Sequence, residues 1–410
     1  MIPDSSVPTL ESIPGGVTAA GGFSAHAVAA GLKPAGSLDV ALVVAGSRAV
    51  PAAAVFTTNT VAAAPVVVSR RHAADGLARA VVINAGNANA CTGAAGVRDA
   101  EATAAALAEL LGGSVSEVIV SSTGVIGVPL SVDLLLAALP SAVAGLAPNG
   151  GALAARAIMT TDTVAKEAAV RVRSAARSYV VGGMAKGSGM IAPNMATMLS
   201  VITTDAPLTS EACDAALRSA IATTFNRVTV DTDTSTNDMV VLMASGDEGG
   251  APIDPGSAEF AAVASGVHAV CETLARAIAR DGEGATKLVT VTVRGAASEA
   301  DAEAAAFAIA GSPLVKTAIF GRDANWGRVA MAIGKSGCAL DPEAFDITFA
   351  GVPVCRGGAA LGFDEAIALA ALSAPDVTIE VDLHLGSAEA TVWTCDLTYD
   401  YVRINGEYRS

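Results

Sequence analysis

The sequence predicts a mixed α/β (α+β) fold, and three features carry that expectation. Strand-like runs rich in Val and Ala recur between Gly- and Asn-bearing turns, amphipathic helical stretches are interleaved with them in both halves, and no low-complexity linker or fixed-period repeat divides the chain. The 410 residues suffice for a large core and suggest two or three structural units. Hydrophobic residues make up 52 %, mostly as Ala and Val, and mean hydropathy is +0.52. No uninterrupted apolar run reaches the ~18 residues of a membrane span. The excess therefore reads as a tightly packed core.

In chain order, Asp39–Val44 and Ala80–Ile83 read as strands. The run Asn84-Ala85-Gly86-Asn87-Ala88-Asn89-Ala90-Cys91-Thr92-Gly93 favours turns and left-handed backbone, so a loop is expected there, either plain or lining a site. Residues 98–111 form an amphipathic helix closed by Gly112-Gly113. The strand Val118–Val120 runs into Ser121-Ser122-Thr123-Gly124-Val125-Ile126-Gly127, where hydroxyls and exposed amides together suit an oxyanion cradle or, more plainly, a polar turn. Residues 131–158 read as helical with a break at Pro148–Gly151, and Ala169–Val172 as a strand after the polar knot Met159–Thr163.

The organising stretch is Lys186–Ala206, KGSGMIAPNMATMLSVITTDA. A Gly- and Pro-punctuated loop feeds an apolar strand starting near Met198, an arrangement that can present a single hydroxyl, Thr197, in a strained position. Beyond it, residues 209–225 fit a helix capped by Thr209 or Ser210, with Glu211 in its first turn. Val228–Val230 reads as a strand leading into Asp231–Asp238. That acidic run resembles half a calcium loop, but position six is Thr236 and position twelve is Leu242, so calcium is rejected in favour of a structured polar turn near the site. A long helix over 257–280 ends at Asp281-Gly282-Glu283-Gly284, where Glu283 sits on backbone able to approach a ligand, or simply caps the helix. Strands are expected at 287–294, 345–354, 377–385 and 388–395, the last two joined by a tight Gly386-Ser387 turn. Helices are expected at 299–310, 328–335 and 363–373.

Composition narrows the function. Net charge is −15, from 25 basic and 40 acidic residues, which argues against nucleic acid or an anionic membrane as partner. Six scattered cysteines and four scattered histidines form no CxxC, HExxH or other metal spacing, so no metal is expected. The cysteine usage fits reduced thiols in a cytoplasmic protein, and the first residues lack the cationic and apolar regions of a secretory signal.

Seven motifs in one order, INAGNANACTG, SSTGVIG, MTTDT, KGSGMIAPNMATML with ITTDA, DGEGATK, GRDANWGR and RINGEYRS, make the chain closely similar to the ornithine acetyltransferases (glutamate N-acetyltransferases) of arginine biosynthesis. The resemblance spans nearly the whole chain. It implies a layered α/β/β/α sandwich resembling N-terminal-nucleophile hydrolases with its own connectivity. It implies self-cleavage between Ala196 and Thr197, giving an α chain of 1–196 and a β chain of 197–410 that stay together, usually as α2β2. Thr197 would be the nucleophile, with Thr123 (hydroxyl) and Gly124 (amide) as oxyanion hole. Substrate-binding positions map onto Thr160, Lys186, Thr197, Glu283, Asn405 and Ser410, for N-acetylornithine and glutamate. By charge, Lys186 suits a carboxylate and Glu283 an ammonium group. No resident cofactor is implied. The residues leave open whether acetyl-CoA also serves as acetyl donor, and an autoprocessed aminopeptidase or amidase of related fold is the nearest rival.

Overall fold

The structure is a computed structural model that describes residues 8–34, 36–174, 177–192 and 198–407. Its centre is a seven-stranded sheet in the order Thr9–Ser12, Lys166–Arg173, Ser178–Lys186, Leu199–Thr204, Met239–Ala244, Val50–Phe56 and Leu77–Ala78. The neighbours Leu199–Thr204 and Met239–Ala244 run parallel, and the other adjacent pairs are antiparallel. A four-stranded sheet of Phe23–Val28, Val40–Ala45, Ala80–Asn87 and Val118–Val125 lies against one face, its last two strands parallel.

Period-2 alternation distributes these strands between cores. In Met239–Ala244, Met239, Val241 and Met243 join a core shared with Ala41, Val43, Val81 and Ile83 of the smaller sheet, so the two sheets pack face to face. Val240, Leu242 and Ala244 turn the other way, into a core with the helices Ser210–Thr223 and Ala258–Arg280. In the smaller sheet Val40, Leu42, Val44 and Val82 face Ala104 and Leu107 of the helix Gly93–Leu111 and Leu135 and Leu139 of Val132–Ala144. Helices, sheet, sheet and helices thus stack as the expected α/β/β/α layers. A six-stranded C-terminal sheet has a separate core with the helices Glu299–Ala310, Pro313–Phe320 and Trp326–Gly334.

Several expectations are corrected. Ala80–Ile83 continues as strand through Asn87, and Val118–Val120 through Val125, because each supplies the other's ladder partners. Inside that pairing Asn84 accepts from Ser122 Oγ at 2.5 Å and donates to the Asn87 carbonyl at 2.9 Å, so the amides are satisfied without a turn. The helix expected from residue 98 starts at Gly93. Val228–Val230 makes a single bridge, Val228 to Trp393, and no strand. Residues 345–354 split into Asp346–Phe349 and Val352–Arg356, paired as a hairpin. Asp376–Asp382 and Ala388–Cys395 are not hairpin partners, since Leu288–Ala296 lies between them, parallel to the first and antiparallel to the second. Among the described residues no single helix is long and apolar enough to cross a membrane.

Candidate active site

Thr123, Gly124, Thr160, Lys186, Glu283 and Asn405, taken from five distant motifs, line one small cavity of about 90 Å³ together with Ala88, Gly189, Met190 and Ser235–Asn237. The two-sheet packing makes this meeting. Thr123 and Gly124 end a strand of the smaller sheet, and Lys186 ends a strand of the central one. Glu283 follows the long helix Ala258–Arg280, and Asn405 sits on the terminal helix Tyr399–Glu407, which the sequence reading did not anticipate. The Glu283 amide donates to the Ser188 carbonyl at 2.9 Å, and Asn405 Nδ2 donates to Glu283 Oε2 at 2.8 Å. A Cβ on Gly189 would come within 2.4 Å of the Glu283 carboxylate, so glycine is needed for that approach. A larger open groove of about 790 Å³ lies between Ala52–Phe56 and the helix Ser210–Thr223, but holds none of the expected site residues.

Lys186 is buried, and its ammonium donates to Thr160 Oγ1 at 2.7 Å and Thr123 Oγ1 at 3.2 Å. Burial pushes it below its ordinary value, opposed by the Asp162, Glu283 and Asp238 carboxylates and reinforced by Lys166. Asp162 lies 3.9 Å from Lys186 and 2.6 Å from Lys166, and also accepts from the Gly187 and Thr160 amides at 2.7 and 3.0 Å. Burial raises its carboxyl, but Lys186, Lys166 and the Gly187 amide outweigh that and hold it at about 2. Lys166 in turn reaches Asp281 at 2.6 Å, and Asp281 accepts from Thr163. The result is a buried chain of alternating charge behind the cavity.

Around the organising stretch, Met190 adopts φ +57°, unusual for a side-chain-bearing residue. The Asp231 carboxylate holds that turn by accepting from the Met190 and Ile191 amides at 2.6 and 2.8 Å. The acidic run is thus a polar turn at the site, as expected. Downstream, the Met198 amide donates at 2.9 Å to Asp238, whose fully buried carboxyl is raised well above its ordinary value by desolvation. Ala196 and Thr197, the expected cleavage pair, lie outside the described residues, as does Ser410. Asp162, Lys166, Asp281, Asn237 and Asp238 escaped sequence reasoning as site residues. Their signal was only a carboxylate or amide inside polar runs beside strands or, for Lys166, a lone cation at the start of one.

The ArgJ family profile matches residues 24–410. A Symbiobacterium thermophilum protein named arginine biosynthesis bifunctional protein ArgJ is 52 % identical over 403 residues, 98 % of this chain and 100 % of that one. Its namesake from Thermobifida fusca is 51 % identical over 392 residues, 96 % and 99 % of the two chains. A solved chain of the Bacillus halodurans protein of that name is 48 % identical and covers 50 % of this chain and 97 % of its own, with a TM-score of 0.49. On the length and identity of the sequence matches, the chain belongs to the ArgJ family.

Proposed function

We propose that this arginine-biosynthesis enzyme moves the acetyl group of N2-acetylornithine to glutamate through an acetyl-enzyme on Thr197. The observation that carries the reading is the convergence of Thr123, Gly124, Thr160, Lys186, Glu283 and Asn405 on one cavity. That set pairs a cation and a carboxylate with hydroxyl and amide donors, as an acetylated amino acid requires.

The nucleophile is generated by self-cleavage between Ala196 and Thr197. A threonine hydroxyl needs a base, and the freed α-amino group of Thr197 is one. In the first step Thr197 Oγ bonds to the acetyl carbon, its proton passes to the α-amine, and the amide C–N bond breaks as that proton moves to the departing ornithine nitrogen. In the second, the neutral glutamate amine attacks the acetyl ester, the C–Oγ bond breaks, and the proton returns to Oγ. The Thr123 hydroxyl and Gly124 amide stabilise both oxyanions, each donor contributing about 3 kcal/mol. Lys186 and Glu283 meet the charged ends of the substrates, and Ser410 closes the set.

No step requires a resident cofactor, and acetyl-CoA would enter only as a second donor. The relatives are named bifunctional, which makes that donor the first one to assay. The cleaved products, 1–196 and 197–410, associate as α2β2. A cytoplasmic setting accords with the six cysteines, all of them free.

The test is intact mass together with turnover. Wild type should run as two chains and form N-acetylglutamate from N-acetylornithine and glutamate with ping-pong kinetics. Thr197→Ala should remain one chain and be inactive. A fully active, uncut wild type would end the proposal.

A further inference from the structure

We propose that Lys186 is a positioning residue for the oxyanion donor: its ammonium, donating to Thr123 Oγ1, leaves the Thr123 hydroxyl hydrogen free to point only into the cavity. The inference deepens the acetyl-transfer reading and rests on it.

A lysine ammonium carries three donors and no acceptor. At 3.2 and 2.7 Å, therefore, the hydroxyl oxygens of Thr123 and Thr160 must both accept from Lys186. Among the described residues Thr123 Oγ1 makes no other hydrogen bond, and Thr123 lines the same cavity as Lys186 and Gly124. Its own O–H is thus turned to where an acyl oxygen would develop charge, with a buried cation directly behind it. A hydroxyl polarised in this way is a stronger donor than a free threonine. A neutral Lys186 amine has a lone pair and could accept from Thr123, turning the hydrogen away and disabling the donor.

The device therefore depends on Lys186 staying charged. The groups facing it are the carboxylates of Asp162, Glu283 and Asp238 and the ammonium groups of Lys166 and Lys33. Asp162, 3.9 Å away, is the nearest of the carboxylates and the main counter-charge. Burial lowers Lys186 and Asp162 opposes that shift, so removing the Asp162 charge must lower Lys186 further. Activity at saturating substrate should then fall at alkaline pH, and the Asp162→Asn variant should lose it at lower pH.

The test combines pH profiles of kcat with a double-mutant cycle, on protein whose cleavage is checked by intact mass. The alkaline limb of kcat should move down by about one pH unit in Asp162→Asn and persist in Thr123→Ser. Thr123→Val and Lys186→Met should each lower kcat by about 10²-fold, and the double variant by less than a further factor of about ten. Multiplying losses would mean that Lys186 acts on substrate alone, which overturns the inference, as does an alkaline limb unmoved by Asp162→Asn. Should a variant fail to fold or cut, the wild-type profile still decides, because a kcat without an alkaline limb refutes the device. A wild type that makes no N-acetylglutamate at any pH would instead refute the acetyl-transfer reading itself.

Discussion

Gly124 occupies a position that no other residue fits. Its φ is +131°, and a Cβ there would lie 2.4 Å from the Gly86 carbonyl carbon and 2.6 Å from the Asn87 nitrogen. The cause is a local irregularity between two parallel strands, where Thr123 pairs with both Ala85 and Asn87. That irregularity brings the Gly124 backbone onto the cavity wall beside the Thr123 hydroxyl. Gly124→Ala must either push the strands apart or move the donor. It should lower stability by about 1–3 kcal/mol and kcat by at least about 10²-fold, read from urea midpoints and steady-state rates. A variant of wild-type stability and rate would show that the close approach is dispensable.

At the scale of elements, the buried charges Lys186, Asp162, Lys166 and Asp281 tie the ends of two central strands to the polar knot Met159–Thr163 and to the end of the long helix. Lys166 links two carboxylates at 2.6 Å each, and its side chain is 1 % exposed. Removing it would strip the buried Asp281 of its cation and leave Asp162 with the more distant Lys186 alone. Lys166→Met should therefore destabilise by about 3–5 kcal/mol, far more than loss of a surface pair such as Arg218–Asp214. An effect near 1 kcal/mol would mean that water reaches the pair.

None of this chain of charge was legible in the sequence, since Asp162 and Asp281 sit 119 residues apart by number and only the tertiary fold joins them. What was legible depended on local rules: the Thr209 cap accepts from the Ala212 amide as the helix start required. The hairpin expected across Gly386-Ser387 failed because Leu288–Ala296 inserts between its arms, and insertion of a distant strand leaves no local mark. Likewise Asn84–Asn87 reads as turn by propensity, yet a parallel partner made it strand. The motifs located the lining residues Thr123, Lys186, Glu283 and Asn405, whereas the charges supporting them emerged only with the packing.

At the scale of the whole molecule, the proposed cut falls between two strands of one sheet. Leu199–Thr204 pairs antiparallel with Ser178–Lys186 on one side, Met239–Ala244 pairs with Val50–Phe56 on the other, and both inner strands are buried along their whole length. The product 197–410 would thus contribute two strands to the middle of a sheet whose flanking strands belong to 1–196. Breaking one peptide bond removes neither seam, so the products should copurify and separate only in denaturant. Their unfolding, however, then becomes a dissociation. A cleaved heterodimer gains about 1.4 kcal/mol of stability per tenfold rise in protein concentration, whereas an uncut chain gains nothing from that source. The thermal midpoint of the cleaved wild type should therefore climb by about 1–3 °C per tenfold concentration, and that of Thr197→Ala by less. Any further association of heterodimers adds a slope to both proteins, so the difference between them reports the cut alone. Equal slopes would mean that the two halves do not separate on unfolding, and that the shared sheet is not what holds the mature enzyme together.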